Sequence, residues 1–268
     1  MQSNTNETGQ LLTEIKDGVL VLTINRPERR NALSPEIYVA LHASLAAAVH
    51  NAEVGAIVLT GSGSAFSAGG DVARMAGATA EELNFEQKIA RLRGRTRISE
   101  MLHTMDKPTI AMIRGPAVGA GLSLALACDM RFADTSARLG TAFLNVGLSG
   151  DFGGHYFLPR LVGMAKAREL YLTTPILDAQ SALSIGLLNQ VVEPDALEPL
   201  VMSLARKLAN GPRTAIAYTK QNLNQALDAS LPEMLDAEAW RHIRCTETAD
   251  HQEATQAYME KRPPRFSR

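Results

Sequence analysis

Apolar positions change period along this chain, and the change divides it. Residues 11–15 and 19–24 are short β-rich runs on either side of Asp17-Gly18. Apolar runs around an Asp-Gly pair predict a β-hairpin. Residues 56–60 (AIVLT) and 109–113 (TIAMI) are unbroken apolar runs bounded by turn residues, which predicts buried strands. Between them, Ser34-Pro35-Glu36 starts a helix: serine as N-cap, proline at the first helical position, an acid in the first turn. Ile37, Leu41, Leu45 and Ala48 follow at helical spacing. Residues 72–105 predict a polar-to-amphipathic helical region with weak periodicity over 76–82. Short strands are expected at 130–133, 138–139 and 189–192, and helices at 155–172 and 177–187. Beyond Pro194 the pattern is almost wholly helical, over 195–209, 213–228, 232–248 and 250–261, punctuated by Pro212 and Pro232. The expected organisation is a flexible polar tail (1–10), an α/β core (11–194) and a helical C-terminal region (195–268).

Two strands leave the core through glycines. One reads AIVLTGSGSAFSAGGD (56–71), the other TIAMIRGPAVGAGLSLALACD (109–129). In the second, the turn opens directly onto an apolar helix. A helix start delivered this way leaves backbone N–H groups free to meet a negative oxygen. A nucleotide phosphate is a poor fit. Gly119-x-Gly121 gives half of a dinucleotide fingerprint, but Leu124 stands where its third glycine belongs, and no Gly-Lys-Ser/Thr phosphate loop exists. Two such turns with their strand exits together would instead aim two N–H groups at one point, an oxyanion hole.

Composition narrows the classes. The 268 residues are ample for a sizeable core, and the formal net charge of −1 gives no support for nucleic-acid binding. Cys128 and Cys245 are too few for a disulfide framework, and no Cys/His spacing suits a metal. No apolar stretch is long enough to span a bilayer, which needs about 20 residues. A cytoplasmic protein that binds neither membrane nor nucleic acid is expected.

SAFSAGGD, followed about 40 residues later by PTIAMIRGPAVGAGLSLALACD, resembles the enoyl-CoA hydratase/isomerase (crotonase) superfamily. So do NRPERRNAL (25–33), FLPRLVGMAKARELYLT (157–173), AQSALSIGLLNQVV (179–192) and the late YMEKR. The resemblance runs over roughly residues 11–265. It implies an α/β spiral of repeated ββα units with a helical C-terminal trimerisation region, assembled as a homotrimer or a dimer of trimers. It also implies an acyl-CoA thioester as substrate and no separate cofactor, coenzyme A being part of that substrate. The oxyanion donors map to the N–H groups of Gly70 and Ala120. The loop at Ser67 and Ala68 would seat the CoA adenine. Arg26, Arg29 and Arg30 would face the CoA phosphates, with Tyr258 and Lys261 reaching CoA from the last helix, often across subunits.

The resemblance breaks where the reaction is chosen. Hydratases of this family hold water between two glutamates, and here those positions are Ser123 and Phe143. Neither transfers protons as a carboxylate does. Ser123, Phe143, Phe152 and Met75 are expected to line an acyl pocket suited to bulky or cyclic groups. One acid falls in the right loop, Asp151 of GLSGDFGG. That position carries the catalytic aspartate of dienoyl-CoA isomerases and the nucleophile of aryl-CoA dehalogenases. The dehalogenase version also needs a histidine, where this chain has Thr96. Asp151 is expected to act as acid/base in an isomerase-type proton transfer. Its alternatives are hydration with water held differently, a hydrolase- or dehalogenase-like reaction, a plain helix N-cap, or a non-catalytic CoA-binding chain. Glu81, Glu82 and Glu86 read as a solvated face, Asp71 as a helix cap, and Asp129 as a structural pair.

Overall fold

The computed structural model describes residues 2–5, 8–77 and 83–266. Seven strands form the large sheet: β1 (Gln2–Thr5), β2 (Leu11–Lys16), β3 (Val19–Ile24), β4 (Ala56–Gly61), β5 (Thr109–Ile113), β7 (Met130–Asp134) and β10 (Gln190–Val192). They lie side by side in that order, antiparallel up to β3 and parallel from β3 onward. A small sheet holds β6 (Pro116–Val118), β8 (Arg138–Gly140) and β9 (Leu177–Asp178).

Every residue of β4 and β5 is buried, as their unbroken apolar runs require of strands covered on both faces. Ala56, Val58, Ile110 and Met112 point to one face, covered by Leu197, Val201 and Ala205 of α8 (Pro194–Ala209). Ile57, Leu59, Ala111 and Ile113 point to the other. There they meet α1 (Pro35–His50), α3 (Phe85–Thr104) and α4 (Ala120–Ala127). The Ser34 side chain caps α1 at the Ile37 N–H, as its Ser-Pro-Glu start predicts.

The chain climbs as a spiral. β5, β6 and α4 make one ββα turn. The preceding turn has β4, a single bridge from Ser67 to Ala117 of the small sheet, and α2 (Val72–Gly77). The following one has β7, β8 and α5 (Gly154–Val162). This is the spiral that the resemblance implies. α6 (Met164–Thr173) and α7 (Ala179–Ser184) complete the core, and α9 (Arg213–Gln225), α10 (Leu231–Thr246) and α11 (Ala249–Met259) follow.

Three expectations change. Gln2–Thr5 lies inside the expected tail but pairs with β2 from Ile15 to Leu12, because β2 would otherwise be an open sheet edge. The expected helix over 155–172 breaks at Gly163, whose φ of +78° ends α5 and starts α6. The glycine turn expected between the 109–113 strand and the apolar helix contains β6, whose three residues are too few to show a period. Among the described residues no helix is long and apolar enough to cross a membrane.

Candidate active site

Parallel neighbours β4 and β5 release their chains at the same end of the sheet, so both glycine turns meet there. The first turn is laced into its surroundings. The Ser67 N–H donates to Pro116 O (2.9 Å), and the Val118 N–H donates back to Ser67 O (3.0 Å). On the other side, Ala68 N–H donates to Arg30 O (2.9 Å) and Leu33 N–H to Gly69 O (2.8 Å). Gly69 has φ +85°, and a Cβ there would stand 2.5 Å from Val118 O and 3.3 Å from Ala120 N. Only glycine lets the two turns come this close.

The second turn is fixed by the Gly119 N–H, which donates to Gly140 O (2.9 Å). Gly119 is the N-cap of α4 and has no side chain to satisfy the first helical donors. Among the described residues neither the Gly70 nor the Ala120 N–H has an acceptor. The pair therefore forms adjacent free donors, one of them at the positive end of a helix whose residues are all buried.

Phe143 is buried with its ring 3.9 Å from where a Gly119 Cβ would sit. Met75 reaches over Gly70, its methyl 2.8 Å from where a Gly70 Cβ would be. Ser123 lies one turn into α4, and its Oγ is 2.7 Å from where a Gly154 Cβ would sit.

Asp151 comes from the loop before α5. Its Oδ1 is buried and has no hydrogen-bond partner. Burial pushes its carboxyl up to about 6. The capping alternative does not hold: Gly153 is the N-cap of α5, and no side chain caps that helix. The charge of Asp151 adds to burial in raising the phenols of Tyr38 and Tyr171, which places both rings within its electrostatic reach. Neither tyrosine was marked by the sequence, since each sits at a helical position that reads as ordinary packing.

Several expected site residues have other work. Ser67 is fully buried; its hydroxyl donates to Asn31 O (2.8 Å) and accepts from the Gly69 N–H (3.1 Å), so it offers nothing to a ligand. Phe152 is 1% exposed and stacks beneath Tyr38 at 5.3 Å. Its φ of +52° turns the ring into the core instead of onto the pocket wall. Arg26 is committed to Asp71 (3.0 Å) and Ala32 O (2.9 Å). Asp71 also caps α2 through the Arg74 N–H, as expected. Arg29, Arg30, Tyr258 and Lys261 are exposed, the last two at the end of α11 and outside the site of this chain. Ala68 is half-buried at the rim. Glu81 and Glu82 lie outside the described residues, and Glu86 is exposed.

Residues 14–268 match the family model described as enoyl-CoA hydratase/isomerase. The chain belongs to the enoyl-CoA hydratase/isomerase family. It is 33% identical to a short-chain-enoyl-CoA hydratase of Clostridium acetobutylicum over 96% of this chain and 97% of that one. It is equally 33% identical to a 1,2-epoxyphenylacetyl-CoA isomerase of Escherichia coli, over 96% and 98%. Among solved structures, an enoyl-CoA hydratase from Polaromonas sp. JS666 superposes with a TM-score of 0.90 at 33% identity, covering 96% of this chain and 99% of that one.

For this member of the family, Asn31 is a support that sequence reasoning passed over in favour of the arginines around it. It is fully buried at φ +58°, and its amide donates to Ser62 O (2.9 Å) and Ala65 O (2.6 Å) while accepting from the Arg26 N–H (2.8 Å). It thereby holds the loop that carries Gly70. A cavity of about 630 Å³ opens elsewhere, between α5 and α9, lined by Leu126, Met130, Phe157, Ile216 and Leu223. Its ion pair is closed, with Lys220 Nζ 2.8 Å from Asp129 Oδ2, so it presents no free acid for the chemistry.

Proposed function

We propose that this chain is an acyl-CoA enzyme of the enoyl-CoA isomerase type, with Asp151 as the proton carrier. The observation that carries the reading is a half-buried carboxylate, whose buried Oδ1 has no partner, in the loop before α5, together with two free N–H donors at the glycine turns. The Gly70 and Ala120 N–H groups bind the thioester oxygen and stabilise the enolate. One such donor is worth about 3–4 kcal/mol in the transition state. Asp151 removes a proton from C2 of a 3-enoyl-CoA, the electron pair spreads over the dienolate, and the same proton is returned at C4. The product is the 2-enoyl isomer, with no net change in atoms. A carboxyl near pKa 6 suits both halves, being ionised at neutral pH yet basic enough to take a carbon acid's proton.

The test is turnover of 3-enoyl- and dienoyl-CoA panels by wild type and Asp151→Asn. Activity unchanged in the variant removes Asp151 from the mechanism. A second reading, hydration of 2-enoyl-CoA with water held by Asp151, draws on relatives that bear hydratase names. Loss of conjugated absorbance from crotonyl-CoA on incubation would favour it. No cofactor beyond the coenzyme A of the substrate enters either reading. Leu231, Leu235, Trp240 and Ile243 are exposed along α10, which supports assembly through the C-terminal helices as a trimer or dimer of trimers. Tyr258 and Lys261 would then serve a neighbour's CoA.

A further inference from the structure

The proton transfer above leaves two hydroxyls of the site unused. Tyr171 on α6 directs its Oη to within 2.3 Å of the point that a Gly154 side chain would occupy, and Ser123 Oγ lies 2.7 Å from the same point. The two hydroxyls thus converge over the first residue of α5, and only a glycine there leaves room for them. The Tyr171 ring is held in place by His155, stacked at 4.0 Å with an interplanar angle of 14°. Among the described residues neither hydroxyl makes a hydrogen bond, and neither pairs with the open Oδ1 of Asp151. Burial, with the Asp151 charge behind it, raises the phenol above its usual range. Tyr171 is therefore a neutral donor at any working pH.

Two unpaired hydroxyls that converge on one point at the start of α5 disfavour a ligand that leaves them unpaired and favour one that satisfies them. A hydrocarbon acyl chain does the first, and an acyl chain carrying oxygen does the second. Sites built to pair a substrate oxygen discriminate far more strongly than sites that only fit its shape. We propose that Tyr171 and Ser123 form a hydrogen-bonding station for an oxygen on the acyl group. The preferred substrates are then acyl-CoA thioesters bearing a hydroxyl, ketone, ether or epoxide oxygen. This rests on the acyl-CoA reading above, but not on the role given to Asp151.

Calorimetry with saturated ligands separates the two. Hexanoyl-CoA, 5-oxohexanoyl-CoA and 6-hydroxyhexanoyl-CoA are titrated into wild type, Tyr171→Phe, Ser123→Ala and Asp151→Asn. Wild type is expected to bind at least one oxygenated ligand about 10-fold more tightly than hexanoyl-CoA. Tyr171→Phe keeps the stacked ring and should lose that preference, with hexanoyl-CoA affinity retained. Ser123→Ala should reduce the preference, and Asp151→Asn should keep it. Equal affinities for all three ligands in wild type overturn the proposal, as does a preference that survives in both Tyr171→Phe and Ser123→Ala. Failure to bind any of the three overturns the acyl-CoA reading itself.

Discussion

At its C-terminal end α4 hands over to Asp129, whose Oδ2 accepts from the Thr109 N–H (2.7 Å), the Thr109 hydroxyl (3.1 Å) and Lys220 Nζ (2.8 Å). At its N-terminal end the same helix presents the unpaired Ala120 N–H and the Ser123 hydroxyl on the side of Asp151, whose Oδ1 has no partner. Cys128, at the first end, is also inert, its thiol pushed up to about 12 by burial. The two aspartates flank one buried helix, yet one is saturated and the other is left open. Saturated buried polar groups hold a fold together, whereas unsatisfied ones cost stability and persist at sites that act on a ligand. The difference fits a structural role at one end of α4 and, on the function proposed above, a chemical role at the other.

The sharpest way to break that assignment is at the open carboxylate. Asp151→Asn preserves shape but cannot take a proton. Isomerase turnover is expected to fall by about 10³-fold or more, within the range of general acid–base catalysis. Single-turnover kinetics with a 3-enoyl-CoA would measure it, and a fall below tenfold would move the proton carrier elsewhere.

Next in size is the donor on α4. Ala120 is the first residue of that helix, where proline is tolerated because its missing N–H is one of the orphans. Ala120→Pro therefore removes a hydrogen-bond donor while keeping the helix. The expected loss in kcat/KM is about 10²–10³-fold or more, because the ring Cδ also fills the space that the N–H faced. If KM rises and kcat holds, the N–H serves ground-state binding instead.

The saturated end should respond in the opposite sense. Lys220 also donates to Leu102 O (2.9 Å) and Lys107 O (3.1 Å), so it ties α9 to the core. Lys220→Met strands the Asp129 charge and should cost about 3 kcal/mol in urea unfolding. Turnover per folded molecule should be unchanged, and a matching loss of kcat would erase the division between the two ends.

Much of this contrast was open to sequence reading, and its limits are physical. The unbroken runs at 56–60 and 109–113 announced buried strands because both their faces are covered. The glycines at 69 and 119 announced close turns because positive φ and near contact demand them. Asp129 as a structural pair and Asp71 as a cap were also legible, since each stands where a turn or helix start wants an acid. What could not be read was direction. Phe152 was expected on the pocket wall, but its left-handed backbone turns it inward. Ser67 was expected beside the ligand, but a loop pinned on both sides consumes its hydroxyl. Tyr171 and Tyr38 occupy helical positions where an aromatic residue usually means packing, and only the fold brings both within electrostatic reach of Asp151. Asn31 lay among three arginines that drew the eye to charge, whereas its task is to satisfy buried carbonyls.

The smallest expected effect probes the cost of leaving Asp151 open. Its carboxyl titrates near 6 in the folded chain, against 3.8 for an unperturbed aspartate. Between those values the folded state holds a proton that the unfolded state has released, so stability falls as pH rises through this window. Below about pH 4 both states are protonated and the penalty is absent; above about pH 6 it is complete. With solvent screening of a partly exposed group allowed for, its size is about 1–2 kcal/mol. Asp151→Asn cannot ionise, so near pH 7.5 it should be more stable than wild type by that amount, and its urea midpoint should lack this fall between about pH 4 and 6. Activity runs the other way in wild type: kcat/KM should rise with pH through about 6 as the base ionises. The same proton would then weaken the fold as it leaves and switch on the site. Wild-type and Asp151→Asn stability curves of equal slope over that window would mean that the carboxylate is solvated after all and that the open end of α4 carries no cost.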